Sequence, residues 1–357
     1  IVGGIHSVCA DVGDLLPTVS FKNRMEMTFS GYSGSTTLTD FPALVMLGTG
    51  ISGFNYSQFN SDAADLRFTD SDGLELAYEI DQWNTSGVST VWVRVPSIAS
   101  SNDTIWALWG NASATKPAYT TNGTAWSADY AGVWHMSETN ASDATSNANT
   151  AVSQGVTTTA GLVAMAQEFG LSKYMEINAV ADDVGPGDFT ASMFIRTDDP
   201  DGTGKAPVCT ISGSRAVWLG LGPSNDPGEA HFTDDRSVAI DGNVGVADGQ
   251  WHHLCVVRDG TNATLYVDGV NAGSYGSADF TIGASTTWAL GFLKESFIVS
   301  RYYVGSMDEA RVAPVVRSAD WIQAAAQTAL NNAGFMTYAE VKLTPGSVFF
   351  GWGKNRN

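Results

Sequence analysis

The chain has 357 residues, enough for one large domain or two ordinary ones with buried cores. Apolar residues are 43% and aromatics 11%, which excludes a disordered chain, and no run approaches the roughly 18–20 apolar residues of a membrane helix. A net charge of −19 repels phosphate backbones and anionic lipid, so neither nucleic acid nor membrane insertion is expected, while cations and neutral glycans stay open.

Charged residues are only 15%, and 38 glycines accompany many Ser, Thr, Asn and Asp. Long solvated helices need more charge than this, whereas strands and tight turns do not. The start at Ile1, without Met, is read as a processed chain, hence an extracellular or cell-surface location.

Residues 1–20 form an apolar leader with little periodicity. Strand signals then come densely to about residue 114. In LELAYEI (74–80), Leu74, Leu76, Tyr78 and Ile80 alternate with Glu75, Ala77 and Glu79, and Asp72-Gly73 precedes it as a hairpin turn. VWVRV (91–95) and TIWALWGN (104–111) continue the pattern. Residues 111–130 are polar and read as a linker.

A second β-rich region follows. VWHM (133–136) is a short strand. FTASMFIR (189–196) places Phe189, Ala191, Met193 and Ile195 on one face. The run from Trp251 reads strand, Asp259-Gly260 turn, strand, Asp268-Gly269 turn, strand. One helix is expected over ADWIQAAAQTAL, capped by Ser318, with Asp320 at its positive end and an apolar stripe of Trp321, Ile322, Ala325 and Ala329. The tail then reads as a strand (TYAEVKL), a Pro-Gly turn and an apolar strand (SVFFGW).

The expected fold is all-β: two antiparallel β-sandwich (jelly-roll) domains with one C-terminal helix. The segments are a leader (1–20), a first sandwich (21–125), a second sandwich (126–334) and tail strands (335–357).

Two stretches resemble known families. LTDFPALVML, DAADLRFTDSDGLELAYEIDQW, VWVRVPSI and IWALWGN, within residues 20–115, resemble a prokaryotic domain of unknown function found in surface proteins ahead of laminin-G-like modules. VWHM, FTASMFIR, DGQWHHLCVVRDG, ATLYVDG and GSMDEARV, within 130–330, resemble the laminin-G-like, concanavalin A-like jelly roll. The second resemblance implies glycan or protein binding, adhesion or assembly, with glycosidases also on the fold.

Candidate residues follow. Similar jelly rolls often hold a structural Ca2+. The resemblance implies Asp308 as a ligand, with Asp143 and Glu138 approaching it from the loop after VWHM; the alternative is that Asp308, Glu309 and Arg311 form an ion pair or cap a turn. Exposed aromatics for stacking on sugar faces are sought at Trp218, Tyr275 and Trp288. Glu79-Ile80-Asp81 opens a Glu-x-Asp-x-x-Glu glucanase pattern, but Asn84 stands where the last Glu belongs, so it is read as a strand end and no catalytic residue is expected. His252 and His253 are adjacent on a strand and point apart, so they are read as structural. Cys209 and Cys255 suit a disulfide, with two buried thiols as the alternative. Glycosylation sequons stand at Asn55, Asn84, Asn102, Asn111, Asn122, Asn140 and Asn262.

The expected function is a non-catalytic structural or adhesive subunit of a cell-surface filament or sheath. It would self-associate through residues 1–15 and 340–357, because apolar chain ends need a partner surface. A monomeric carbohydrate-binding module and a concanavalin-like glycoside hydrolase are the alternatives.

Overall fold

The computed structural model describes residues 12–177, 180, 184, 187–199, 208–212, 215–222, 228–233, 238–276, 287–293 and 301–346. Among them the architecture is two antiparallel sandwiches, with a helix wedged between them.

The first sandwich uses β1 (Asn23–Thr28), β2 (Leu38–Gly48), β3 (Arg67–Thr69), β4 (Glu75–Leu76), β5 (Tyr78–Gln82), β6 (Val88–Ile98) and β7 (Thr104–Trp109). One sheet runs β1-β7-β3-β4 and the other β2-β6-β5. Phe41, Phe68, Tyr78 and Trp109 fill the space between them. LELAYEI is not the single strand its alternation predicts. The chain leaves β4 in one sheet and enters β5 in the other, so Leu76, Ala77 and Tyr78 are all buried in succession. Glu75 is therefore buried too, 3.2 Å from the Arg67 guanidinium and accepting from the Tyr119 hydroxyl at 2.5 Å.

The second sandwich begins with β8 (Gly132–Trp134), β9 (Val152–Gln154), β10 (Thr157–Ala160), β11 (Met165–Phe169) and β12 (Tyr174–Ile177). It continues with β13 (Phe189–Arg196), β14 (Val208–Ser212), β15 (Arg215–Leu221), β16 (Glu229–Thr233), β17 (Ala239–Gly245) and β18 (Trp251–Asp259). Then come β19 (Asn262–Val267), β20 (Val270–Gly276), β21 (Thr287–Leu290), the small hairpin β22 (Phe292–Leu293) and β23 (Arg301–Tyr302), and β24 (Gly305–Ala313). The two sheets are β10-β11-β24-β13-β18-β19-β20, with β8 beside β24, and β17-β16-β15-β14-β21-β12-β9. Phe189, Ala191, Met193 and Ile195 all enter the core between them, as their spacing predicts.

The helix α1 (Ala319–Leu330) is capped as expected: the Trp321 amide donates to Ser318 Oγ at 3.2 Å. Its Asp320 carboxylate accepts from the amides of Ser35 and Thr36, both at 2.8 Å, tying the helix start to the first sandwich. A short helix, α2 (Asn332–Phe335), follows. Strand β2 is an edge strand, and this region satisfies it. The Leu44 amide donates to Thr328 Oγ1 at 3.0 Å, the Leu44 carbonyl accepts from Asn332 Nδ2 at 2.7 Å, and the Met46 amide donates to the Tyr338 hydroxyl at 2.8 Å. An edge closed this way offers no ladder to another chain.

The tail returns to the first sandwich. β25 (Thr337–Tyr338) and β26 (Lys342–Leu343) both pair antiparallel with β1, and Leu15 bridges Leu74. The described parts of both chain ends thus pair with their own chain, while residues 1–11 and 347–357, most of the segments expected to reach a neighbouring subunit, lie outside the described residues.

The polar stretch 111–130 is no loose linker. Tyr119 joins the first core, while Trp126 and Tyr130 are buried between the domains with Leu44, Trp92, Val133, Phe194 and Ala329. A buried apolar junction of this kind holds the sandwiches in one arrangement.

Candidate functional site

A cavity of about 480 Å³ opens where the sandwiches meet. Strand β5 supplies Glu79, Ile80 and Asp81. Residues 116–123 supply Lys116, Thr120, Thr121 and Gly123. The chain after β8 supplies His135–Glu138 and Ala141–Thr145.

Local folding explains the placement. Ile80 packs on the first core, so Glu79 and Asp81 occupy the opposite face, toward the second domain. Gly123 has φ +86°, and a Cβ there would lie 2.5 Å from the Ser146 amide, so only glycine lets this turn meet the 145–146 loop. Across the junction, β24 carries a bulge against β13, where Ser192 faces Arg311 and Phe194 faces Asp308. Glu309 sits in it with φ +50°. Met307, Ala310 and Val312 enter the inter-sheet core, so the extra residue puts both Asp308 and Glu309 on the face toward the first domain.

These residues form one polar cluster. His135 Nδ1 lies 2.8 Å from Glu309 Oε1, and Glu309 Oε2 accepts from Arg311 Nη2 at 2.9 Å. The Arg311 guanidinium stacks over Trp92 at 4.2 Å and Trp126 at 4.9 Å. Trp126 Nε1 donates to Glu79 Oε2 at 2.7 Å, and His135 Nε2 lies 3.6 Å from the same oxygen. Asp81 accepts from Ser137 Oγ at 2.7 Å and Thr90 Oγ1 at 3.1 Å. Contacts between the domains therefore converge on the floor of the cavity.

The charges sort by environment. Burial lowers the His135 pKa, but Glu309 and Glu79 outweigh it and hold the ring well above the ordinary imidazole value. Burial raises the Glu309 carboxyl, yet His135 and Arg311 overcome this and keep it ionised. Asp308 goes the other way. Burial and the neighbouring Glu309 charge push it well above the carboxylate range. Asp81 is raised to about 6, chiefly by burial, against the lowering influence of His135 and with Glu309 adding to the rise.

The expected calcium set does not assemble. Asp308 Oδ2 accepts the amides of Leu162 and Val163, both at 2.9 Å, as an organiser of the 161–164 turn. The Asp143 carboxylate accepts from the amides of Val133, Thr145 and Asn149 and from the Thr145 hydroxyl. Glu138 accepts from Ser142 at 2.6 Å. Glu138 and Asp143 line the cavity, but among the described residues no group of three or more His, Cys, Asp or Glu side chains is placed to hold a metal ion. The alternative holds for Glu309 and Arg311, which form the ion pair.

The aromatic candidates are not platforms. Trp218 is buried against His231, with ring centres 4.8 Å apart, and Trp288 lies in the inter-sheet core. Tyr275 is partly buried and packs on that core. None of the three lines the junction cavity. The Cys209–Cys255 disulfide is not formed. Cys255 is a buried free thiol on the outer face of its sheet, among Val257, Ile322 and Tyr266, while Cys209 lies on β14 of the facing sheet. His252 pairs through its ring with Asp268 and Asp248, whereas the His253 ring is buried against Phe194 and only its backbone amide donates to Asp268, so the two rings share no partner. Of the sequon asparagines, Asn55, Asn102, Asn122, Asn140 and Asn262 are exposed, whereas Asn84 and Asn111 are half-buried.

Glu79 and Asp81 stand in an incomplete motif, and no motif in the sequence marks His135, Glu309 or Arg311 as members of a binding site. The available signal was polar residues at strand positions whose neighbours read as core.

Among the described residues, no helix is long and apolar enough to cross a membrane. A family model described as "Concanavalin A-like lectin/glucanases superfamily" matches residues 169–323, and one for a domain of unknown function matches residues 62–145. No curated protein matches the chain. Solved structures with a similar fold include domain 4 of AbnA, a GH43 extracellular arabinanase from Geobacillus stearothermophilus in complex with arabinotriose. It has 15% identity and a TM-score of 0.48, over 56% of this chain and 98% of that one. The binding domain of Paraclostridial Mosquitocidal Protein 1 is similar at 12% identity and TM-score 0.42, over 57% and 53%. The heptameric SAP-like pentraxin from Limulus polyphemus is similar at 15% and 0.33, over 40% and 70%. The chain thus carries, in order, a domain of unknown function and a domain of the concanavalin A-like superfamily.

Proposed function

We propose that this chain is a non-catalytic extracellular binding module that takes a saccharide in the cavity between its two sandwiches. The observation that carries the reading is the cavity itself. At about 480 Å³ it has the size of a small-molecule site, and hydroxyls and carboxylates from both domains converge on it over a rigid floor. Such a lining matches the many hydroxyls of a sugar. The closed β2 edge and the self-paired tail favour this over assembly by strand exchange.

The test is calorimetric titration of the soluble chain against a panel of oligosaccharides, beside a Ser137→Trp variant that fills the cavity. Saturable binding lost in a variant with unchanged circular dichroism supports the reading. Binding that ignores the substitution, or no binding across the panel, refutes it.

One observation favours a second reading, a glycoside hydrolase. Glu79 and Asp81 share the cavity, and Asp81 is raised to about 6, a pattern used by acid and base pairs. Release of reducing ends from the same panel, abolished in Glu79→Gln and Asp81→Asn, would establish it in place of simple binding.

A further inference from the structure

We infer that the junction cavity selects an uncharged sugar residue, held by two neighbouring hydroxyls on Glu79 and Asp81, and discriminates against uronic and sialic acids. This rests on the saccharide-binding reading above and names its ligand class.

Glu79, Asp81, Glu138 and Asp143 all line the cavity, against His135 and an exposed Lys116. The nearby Arg311 is engaged by Glu309 and the two tryptophans, so no guanidinium fork is free to grip a carboxylate. An acidic sugar would enter a negative field without its usual partner. A simple cation fares no better. The Asp143 oxygens are already occupied by four donors, and the His135 ring, held well above its ordinary value by Glu309 and Glu79, stands at the wall.

The remaining hydrogen-bonding capacity fits a neutral polyol. Each Asp81 oxygen accepts one hydroxyl and keeps lone pairs to spare. Glu79 engages Trp126 and His135 through Oε2, which leaves Oε1 for a ligand. His135 Nε2 has no hydrogen bond, its nearest acceptor being 3.6 Å away. The site therefore offers acceptors on two carboxylates beside the hydroxyl-bearing walls of Ser137 and Thr120. A sugar hydroxyl donates to such acceptors, whereas a carboxylate has no proton to give them.

The experiment pairs neutral oligosaccharides with their uronate counterparts of equal length and linkage, titrated into wild type, Glu79→Gln, Asp81→Asn and Ser137→Trp. Neutral members should bind at least about tenfold more tightly than the uronates, and each single carboxylate substitution should weaken them by roughly tenfold to a hundredfold. Thermal midpoints of the variants confirm that they fold. Uronates binding as tightly as neutral sugars, with both lost in Ser137→Trp, would overturn the selectivity while leaving the saccharide reading in place. Neutral binding unchanged in both carboxylate variants, yet lost in Ser137→Trp, would overturn the assignment of the two residues. Indifference of every ligand to Ser137→Trp would overturn the reading and the selectivity together.

Discussion

Replacing Asp81 by Asn should stabilise the protein at neutral pH while weakening its ligand binding. The Asp81 carboxyl is raised from 3.8 to about 6, mainly by burial at the junction. At pH 7.5 the folded state must hold it ionised, which costs up to ~3 kcal/mol relative to the unfolded chain, at 1.36 kcal/mol per pKa unit. Asn has the same shape and no charge. It can keep Ser137 and Thr90 as partners, with one hydrogen bond reversed, at a loss of about 1 kcal/mol.

The net gain at pH 7.5 is then about 1–2 kcal/mol. The sign follows from the direction of the shift. A raised carboxyl contributes most stability below its unfolded value, and this is lost as pH rises from 3.8 through about 6. The difference between variant and wild type should thus grow across that window and stay flat above it. Urea unfolding followed by tryptophan fluorescence, at several pH values between 4 and 7.5, measures this. An Asp81→Asn chain less stable than wild type at pH 7.5, or a difference that ignores pH, would refute the account of Asp81 as a strained site residue.

Three further outcomes are expected. Thr328→Val leaves the buried Leu44 amide without an acceptor and should cost about 1–3 kcal/mol in urea unfolding, although the side chains are nearly equal in volume. Glu309→Gln removes the negative partner of both His135 and Arg311. It should cost about 3–5 kcal/mol and lower the His135 titration toward the ordinary imidazole range, read by NMR. Cys255 is buried and its thiol pushed far up by burial, so it should stay inert to an aromatic disulfide reagent in the native protein and react once urea unfolds it.

The candidate site was only partly legible in the sequence. Its second half depends on the β24 bulge, which turns Glu309 to the same face as Asp308; by strict alternation the two would point apart. The crossing of LELAYEI from one sheet to the other was hidden for a similar reason. Its alternation suits one strand, but a chain switching sheets buries consecutive residues instead. Trp218 and Trp288 have the composition of sugar platforms, and only packing shows that both are buried.

What the sequence determined by itself is whatever rests on neighbours along the chain. The alternation of FTASMFIR, the Asp-Gly turns and the Ser318 cap are local, and together they specify an all-β chain with one C-terminal helix. Tertiary structure alone decided the rest: that the tail closes on β1, that the helix seals the β2 edge, and that Glu79 and Asp81 meet His135 and Glu309. Those pairings join residues far apart in the chain, and the burial and charge balance that make them favourable exist only once both sandwiches are folded against each other.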